Sequence, residues 1–378
     1  MTQTLDIAVA AASDVGQVRD HNEDSFLVGD LDQGVLVDAV QQPWRTVADR
    51  GPLLVVCDGM GGVQGGEVAS DVAARVIWRE MKATPATRDP EEFARLLRRA
   101  TRVANHDVHA MAKREPGLRG MGTTVSAAGI VGDRLVVATV GDSRAYVQRN
   151  STLVQVTQDQ SLSFALLAAG HDEIEAANAG SAILQALGVG DDVEPSLSII
   201  ELRRGDRVLL CSDGLHGLVG DPALAVLMAE PHTVGESTML LITAARAAGG
   251  SDNITAIVLD VGGDRLVVPR DDDDLPTFRE FDPQKEGVPA LADTSYVARR
   301  LAARIGLPSQ SVPPSIPVTG QHAVLASRVG IRLPEIALPI EDIEGPARRH
   351  LKSSQTSAWL VLAIAVLACV IAWVLGAR

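Results

Sequence analysis

Three times in this chain an unbroken apolar run ends at an aspartate. Leu53-Leu54-Val55-Val56-Cys57 leads into Asp58-Gly59, Val136-Val137-Ala138-Thr139-Val140-Gly141 into Asp142-Ser143, and Val208-Leu209-Leu210-Cys211-Ser212 into Asp213-Gly214. Such apolar runs read as strands, and a rigid strand that ends in Asp projects a carboxylate at the sheet edge. The glycine that follows lets the backbone approach a ligand closely. Any one Asp-Gly pair is an ordinary turn. Three at the ends of such strands, with Glu23-Asp24 and Asp252-Asn253 besides, describe a carboxylate-lined edge. Hard oxygen donors of this kind suit Mg²⁺ or Mn²⁺ and not zinc.

The surrounding pattern is that of one globular unit over residues 5–261. Strands are expected at Leu5–Ala11, Leu53–Cys57, Thr123–Val131, Arg134–Val140, Ala145–Gln148, Leu197–Leu202, Arg207–Cys211 and Asn253–Val261. Gly132-Asp133 joins two of them as a hairpin. A helix follows Gly65-Gly66 through Met81. A second begins behind Asp89-Pro90-Glu91-Glu92, with a cap, a first-turn proline and acids facing the helix dipole. A third covers about Val234–Ala248. Strands and helices in this order indicate α+β and not alternating βαβ units.

Charge supports the carboxylate reading. The net formal charge is −14, and it is all in residues 1–262, with 35 Asp+Glu against 21 Lys+Arg; the remainder carries 13 of each sign. Such a surface excludes nucleic acid, which needs clustered Lys and Arg. Residues 263–357 hold the run Asp271–Asp274, ten prolines from Pro276 to Pro346 and no periodic segment long enough for a core. They read as a flexible, largely disordered linker. Ala358–Leu375 is an uncharged apolar stretch of 18 residues bracketed by Trp359 and Trp373. At about 1.5 Å per residue it spans the hydrocarbon core of a bilayer, so a transmembrane helix is expected over 358–375. Arg348, Arg349 and Lys352 precede it and only Arg378 follows, which keeps the N-terminal part in the cytoplasm. The start, MTQTLDIAVAA, lacks the basic region of a secretory signal. Cys57, Cys211 and Cys369 each lie in an apolar run, as core-filling thiols do.

The acidic positions and their neighbours form an ordered set. It comprises Arg19 with Glu23-Asp24, Asp58-Gly59-Met60-Gly61-Gly62, Gly122-Thr123-Thr124, Gly141-Asp142-Ser143-Arg144, Ser212-Asp213-Gly214-Leu215 and Ser251-Asp252-Asn253. In this order and spacing the set closely resembles the metal-dependent type 2C protein serine/threonine phosphatases, over about residues 5–261. The resemblance implies a central antiparallel β-sandwich flanked by helices, a four-layer αββα arrangement, with two Mn²⁺ or Mg²⁺ ions at one edge. It implies that Asp58 bridges the ions. The Gly59 carbonyl and Glu23 would serve one ion, Asp213 and Asp252 the other, and Asp142 with Asp213 a third, weaker one. Asp24 would stand behind the ligands, and Arg19 would grip the phosphate of phosphoserine or phosphothreonine on proteins modified by a Ser/Thr kinase. The physics agrees: paired cations acidify water and neutralise charge on phosphoryl oxygens, and a guanidinium matches two of those oxygens at once.

Two positions depart from the family pattern. Met60 stands where many members have His, which leaves the acid for the leaving alcohol unassigned. Thr157-Gln158-Asp159-Gln160-Ser161 replaces the usual Asp-His-Ser. The segment after it, Ser163–Ala182, corresponds to the family's mobile flap but carries acids where bases are usual. The alternative from another class is a catalytically silent, membrane-tethered phosphoprotein scaffold, against which the full acidic set argues. Action on a small phosphoester is a third reading, since these residues recognise only the phosphate. His106 and His109 on the second helix read as a solvated face and not a metal pair.

Overall fold

The computed structural model describes residues 3–37, 42–46, 50–178, 182–270, 275–283 and 323–325. In chain order the elements are β1 (Leu5–Asp14), β2 (Asp24–Asp30), β3 (Val35–Leu36), β4 (Gln42–Thr46), β5 (Arg50–Met60), α1 (Gly62–Ala83) and α2 (Pro90–Arg114). Then come β6 (Gly122–Thr123), β7 (Val125–Val131), β8 (Arg134–Val140), β9 (Arg144–Arg149), β10 (Thr152–Gln155), α3 (Leu162–Ala168) and α4 (Glu173–Asn178). The rest are β11 (Ser196–Glu201), β12 (Arg207–Cys211), α5 (Asp213–Val219), α6 (Asp221–Ala229), α7 (Val234–Ala247), β13 (Ile254–Gly262), β14 (Phe278–Glu280) and β15 (Ala323–Leu325).

Two antiparallel sheets result. One has the order β15-β10-β9-β12-β13-β1-β4, the other β14-β11-β8-β7-β5-β2-β3 with β6 paired to β5. Period-2 alternation sends the side chains of the central strands into two different cores. From β5, Leu54 and Val56 point between the sheets, while Leu53, Val55 and Cys57 meet α1 and α2. From β12, Val208 and Leu210 join the central core, and Leu209 and Cys211 pack on α5, α6 and α7. Every such strand is covered twice, which is why its sequence is a run and not an alternation. The layers are helix, sheet, sheet, helix, the arrangement that the family resemblance implies.

The second helix starts where its signals place it: Asp89 accepts a hydrogen bond from the Glu91 amide at 2.9 Å, with Pro90 in the first turn. Past Gly262 the chain still contributes to the body. Leu266 is buried, and β14 pairs with β11. Phe281 packs against the α1/α2 layer with the Arg95 guanidinium 5.2 Å from its ring. The apolar stretch 358–375 lies outside the described residues. Among the described residues no helix is long and apolar enough to cross a membrane.

Candidate active site

Strand ends and turns from both sheets meet at one edge of the sandwich. Asp58 ends the buried part of β5 and stands directly opposite Asp24 in the β2–β5 register. Asp142 follows β8, Asp213 opens α5 directly after β12, and Asp252 precedes β13. Their fields overlap. The Asp58 carboxyl is pushed well above the usual carboxylate range, first by burial and then by the charges of Asp24 and Asp213. Burial, reinforced by Asp213, raises Asp142 to about 7. Asp24 also rises to about 7 through burial, although hydrogen bonds from Thr255 and Ser212 oppose the shift. Like charges held this closely cannot all ionise without a counter-charge.

The backbone around Asp58 is fixed by threonines. The Thr124 amide and the Thr123 hydroxyl both donate to the Asp58 carbonyl at 2.8 Å, and the Asp58 amide donates to Thr124 Oγ1 at 3.1 Å. Thr124 Oγ1 in turn lies 2.7 Å from Ser143 Oγ, so one hydroxyl ties Asp58 to the turn bearing Asp142. Gly59 is required sterically: a β-carbon there would collide with the carbonyl oxygens of Gly66 and Glu23. A β-carbon on Gly214 would likewise strike the Asn253 carbonyl.

Arg19 donates through Nη2 to Asp252 Oδ2 at 2.8 Å, and its side chain is half exposed. The negative charges of Asp252, Glu23 and Asp58 all hold it protonated. Glu23 lies beside His21, with Nε2 3.4 Å from Oε1. Arg144, from the same motif as Asp142, faces elsewhere. It holds Asp159 through Nε and Nη2 and also reaches Tyr146 and Asp221.

Several residues that set this geometry carry no role in the sequence reading. Asn253 is buried and clamps the Arg19 loop. Its side-chain amide donates to the Val15 and His21 carbonyls at 3.0 Å each, and its Oδ1 accepts from the Glu23 amide at 2.7 Å. Ser212 and Thr255 donate to Asp24 Oδ2 at 2.8 and 2.6 Å. The available signal is positional: each adjoins, or lies two residues along the strand from, a residue of an acidic motif. The two helix histidines do not pair. His109 Nδ1 is 2.7 Å from the Gly188 carbonyl, and His106 is solvent-exposed. The thiols of Cys57 and Cys211 are buried and pushed upward in pKa, which removes them as thiolate nucleophiles.

Among the described residues, no three His, Cys, Asp or Glu side chains converge closely enough to enclose an ion by themselves. The donors instead come as carboxylate pairs with a nearby backbone carbonyl at Gly59. That suits Mg²⁺ or Mn²⁺, since Mg²⁺ takes one or two carboxylates and keeps several waters. Three buried oxygens, Asp24 Oδ1, Asp142 Oδ1 and Asp213 Oδ1, have no hydrogen-bond partner. Buried acceptors in that condition are costly unless a cation or water meets them. The residues present therefore fit divalent cations.

Comparison with known proteins places this geometry in a family. The sequence profile described as "Protein phosphatase 2C" matches residues 31–240. The chain belongs to the protein phosphatase 2C family. Among its relatives is the serine/threonine phosphatase stp of Listeria monocytogenes, 35% identical over 251 residues, covering 66% of this chain and 93% of the relative. Another is the serine/threonine protein phosphatase PstP of Mycobacterium tuberculosis, 38% identical over 264 residues, covering 68% of this chain and 46% of PstP. The PstP catalytic domain, solved in complex with two manganese ions, superposes with a TM-score of 0.57 at 36% identity. That match covers 68% of this chain and 99% of the other.

Proposed function

We propose that this protein is a metal-dependent protein serine/threonine phosphatase that hydrolyses phosphoserine and phosphothreonine. The observation that carries the reading is the partly buried, mutually repelling pair of Asp58 and Asp213 carboxyls beside a half-exposed Arg19, in a protein phosphatase 2C frame. Asp58 would bridge two Mn²⁺ or Mg²⁺ ions, with Glu23 and the Gly59 carbonyl on one side and Asp213 and Asp252 on the other. Asp142 would join Asp213 at a third, weaker ion. When bound, the cations supply Lewis acidity that lowers the pKa of water and neutralises charge on the phosphoryl oxygens.

The chain's own groups do the rest. Arg19 commits only one nitrogen to Asp252, so the remainder of its guanidinium can take phosphate oxygens and orient the ester. Asn253 keeps the Arg19 loop in place. Asp24 stands opposite Asp58 in the β2–β5 register and, through Ser212 and Thr255, ties β2 to the β12 and β13 strands of the other sheet beneath the acids.

The test is hydrolysis of p-nitrophenyl phosphate and phosphopeptides by the full chain. Turnover is expected with Mn²⁺ or Mg²⁺ and is lost in EDTA. Metal-independent turnover would overturn the mechanism, and absence of turnover with metal bound would favour the silent scaffold.

The reading extends to the whole chain: residues 1–262 carry the catalytic set, the segment around Leu266 and β14 to Phe281 packs onto that unit, the chain from there towards 357 serves as a tether, and 358–375 is a membrane anchor that leaves the phosphatase in the cytoplasm. Hydropathy of the last segment supports the anchor. Deleting Ala358–Arg378 is expected to move the protein from the membrane pellet to the supernatant with activity retained. A variant that still pellets would contradict a simple anchor.

A further inference from the structure

We propose that His216 is a positioning residue of the metal centre, which sets the spacing between Asp142 and Asp213 through a hydrogen bond to the Asp142 backbone. The inference rests on the metallophosphatase reading and extends it to a residue outside the acidic motifs. His216 lies on α5, one turn beyond Asp213, and its Nε2 is 3.0 Å from the Asp142 carbonyl oxygen. A carbonyl can only accept, so Nε2 carries the hydrogen and donates.

The turn that bears Asp142 is held residue by residue from different parts of the fold. The Gly141 carbonyl accepts from the Gln160 amide at 2.8 Å, Ser143 is bonded to Thr124, and Asp142 itself is bonded by His216. The last bond is special because its donor belongs to the helix that Asp213 opens. The two carboxylates come from distant parts of the chain, and each has a buried Oδ1 without a partner. A rigid link between their backbones presets how far apart those oxygens stand. An apolar residue would fill the same space on α5, beside Leu215 and Val219, without burying a ring nitrogen. The imidazole therefore has a use beyond packing.

Arg144, Asp159 and Asp213 are the charged groups around the ring. The proposed role needs only the donated hydrogen bond and no change of charge. Partners that orient metal ligands from behind are worth about 10–100-fold in metal affinity or activity when removed.

Glutamine and asparagine separate the two roles. A glutamine in place of His216 would carry an N–H at nearly the reach of Nε2, whereas an asparagine would place it one bond short. Mn²⁺ binding to the full chain is measured by titration calorimetry, without substrate, for the unaltered protein, His216→Gln and His216→Asn. Thermal melts in EDTA establish that each variant is folded. His216→Asn is expected to weaken Mn²⁺ binding about ten-fold or more, and His216→Gln to restore it to within a few-fold. Unchanged affinity in His216→Asn would overturn the proposal. So would a folded His216→Gln as weak as His216→Asn, or loss of folding in both, which would make the residue a core group alone. If the unaltered chain binds no Mn²⁺, the metallophosphatase reading fails first and the proposal with it.

Discussion

Asp58→Asn is expected to lower kcat/KM on p-nitrophenyl phosphate about a thousand-fold or more, and to raise the melting temperature of the EDTA-treated chain. The two effects have one cause. Asp58 stands across the strand pair from Asp24 and feels the charges of Asp213 and Asp142. With cations bound, its carboxylate would be the bridging donor of the proposed centre. Replacing it with a neutral amide forfeits several kcal/mol of charge stabilisation at the phosphoryl group, and each 1.36 kcal/mol is a factor of ten in rate. Without cations the same carboxylate is a liability, because burial and three like charges oppose its ionisation. Asparagine keeps its volume without the charge, so the metal-free fold gains. Steady-state kinetics with Mn²⁺ and calorimetry in EDTA test both halves. Activity within ten-fold of the unaltered protein would contradict the bridging role, and a lower melting temperature in EDTA would contradict the repulsion.

The part of this centre that could be read from the sequence is the part made by doubly buried strands. β8 and β12 appear with the boundaries expected for them, Arg134–Val140 and Arg207–Cys211, because both faces of each are apolar and the runs are unbroken. The aspartates at their ends, and at the end of β5, follow directly. β2 was not legible: DSFLVGD is short, begins at the Glu23-Asp24 pair that looks like a turn, and leaves Phe26 partly exposed. The helices α5 and α6 were hidden because Gly217, Gly220 and Pro222 interrupt any periodic pattern across DGLHGLVGDPALAVLMA. β14 lies in proline-rich sequence and forms through backbone pairing with β11, which no side-chain pattern announces. The support of the site was the least legible. Asp24 meets Ser212 and Thr255 across separations of 188 and 231 residues, and Asn253 reaches back 238 to Val15. Such contacts exist only once the two sheets are stacked. The acidic motifs thus identify the chemistry, whereas the hydroxyls and amides that hold them in place are products of the topology.

That arrangement has a consequence for stability. In EDTA, the melting temperature is expected to fall as pH rises from about 5 to about 7.5 and to level off above that. Asp24 and Asp142 reach about 7 in the fold, and Asp58 is also raised. An unfolded aspartate titrates near 3.9. For an acid whose pKa is raised by folding, the native state keeps a proton that the unfolded chain has lost. Stability therefore drops as pH climbs through the interval between the two values. His216 opposes this. Burial lowers its pKa to about 4, so between about 4 and the unfolded value near 6.5 its neutral state favours the fold as pH rises. One histidine offsets one of the three acids below pH 6.5 and none of them above it, so the steepest decline lies near neutral pH. Each net proton costs about 1.4 kcal/mol per pH unit, and a kcal/mol is worth about 2–4 °C in a domain of this size, so with about two to three net protons over the interval the loss is on the order of ten degrees or more. Saturating Mn²⁺ should reverse the trend, because cations compete with the protons for the same oxygens. The stabilisation by Mn²⁺ is then largest above pH 7 and small near pH 5. Thermal melts across this range, with EDTA and with Mn²⁺, read both curves. A melting temperature in EDTA that rises from pH 6 to pH 8 would show that these carboxylates are not held together as described.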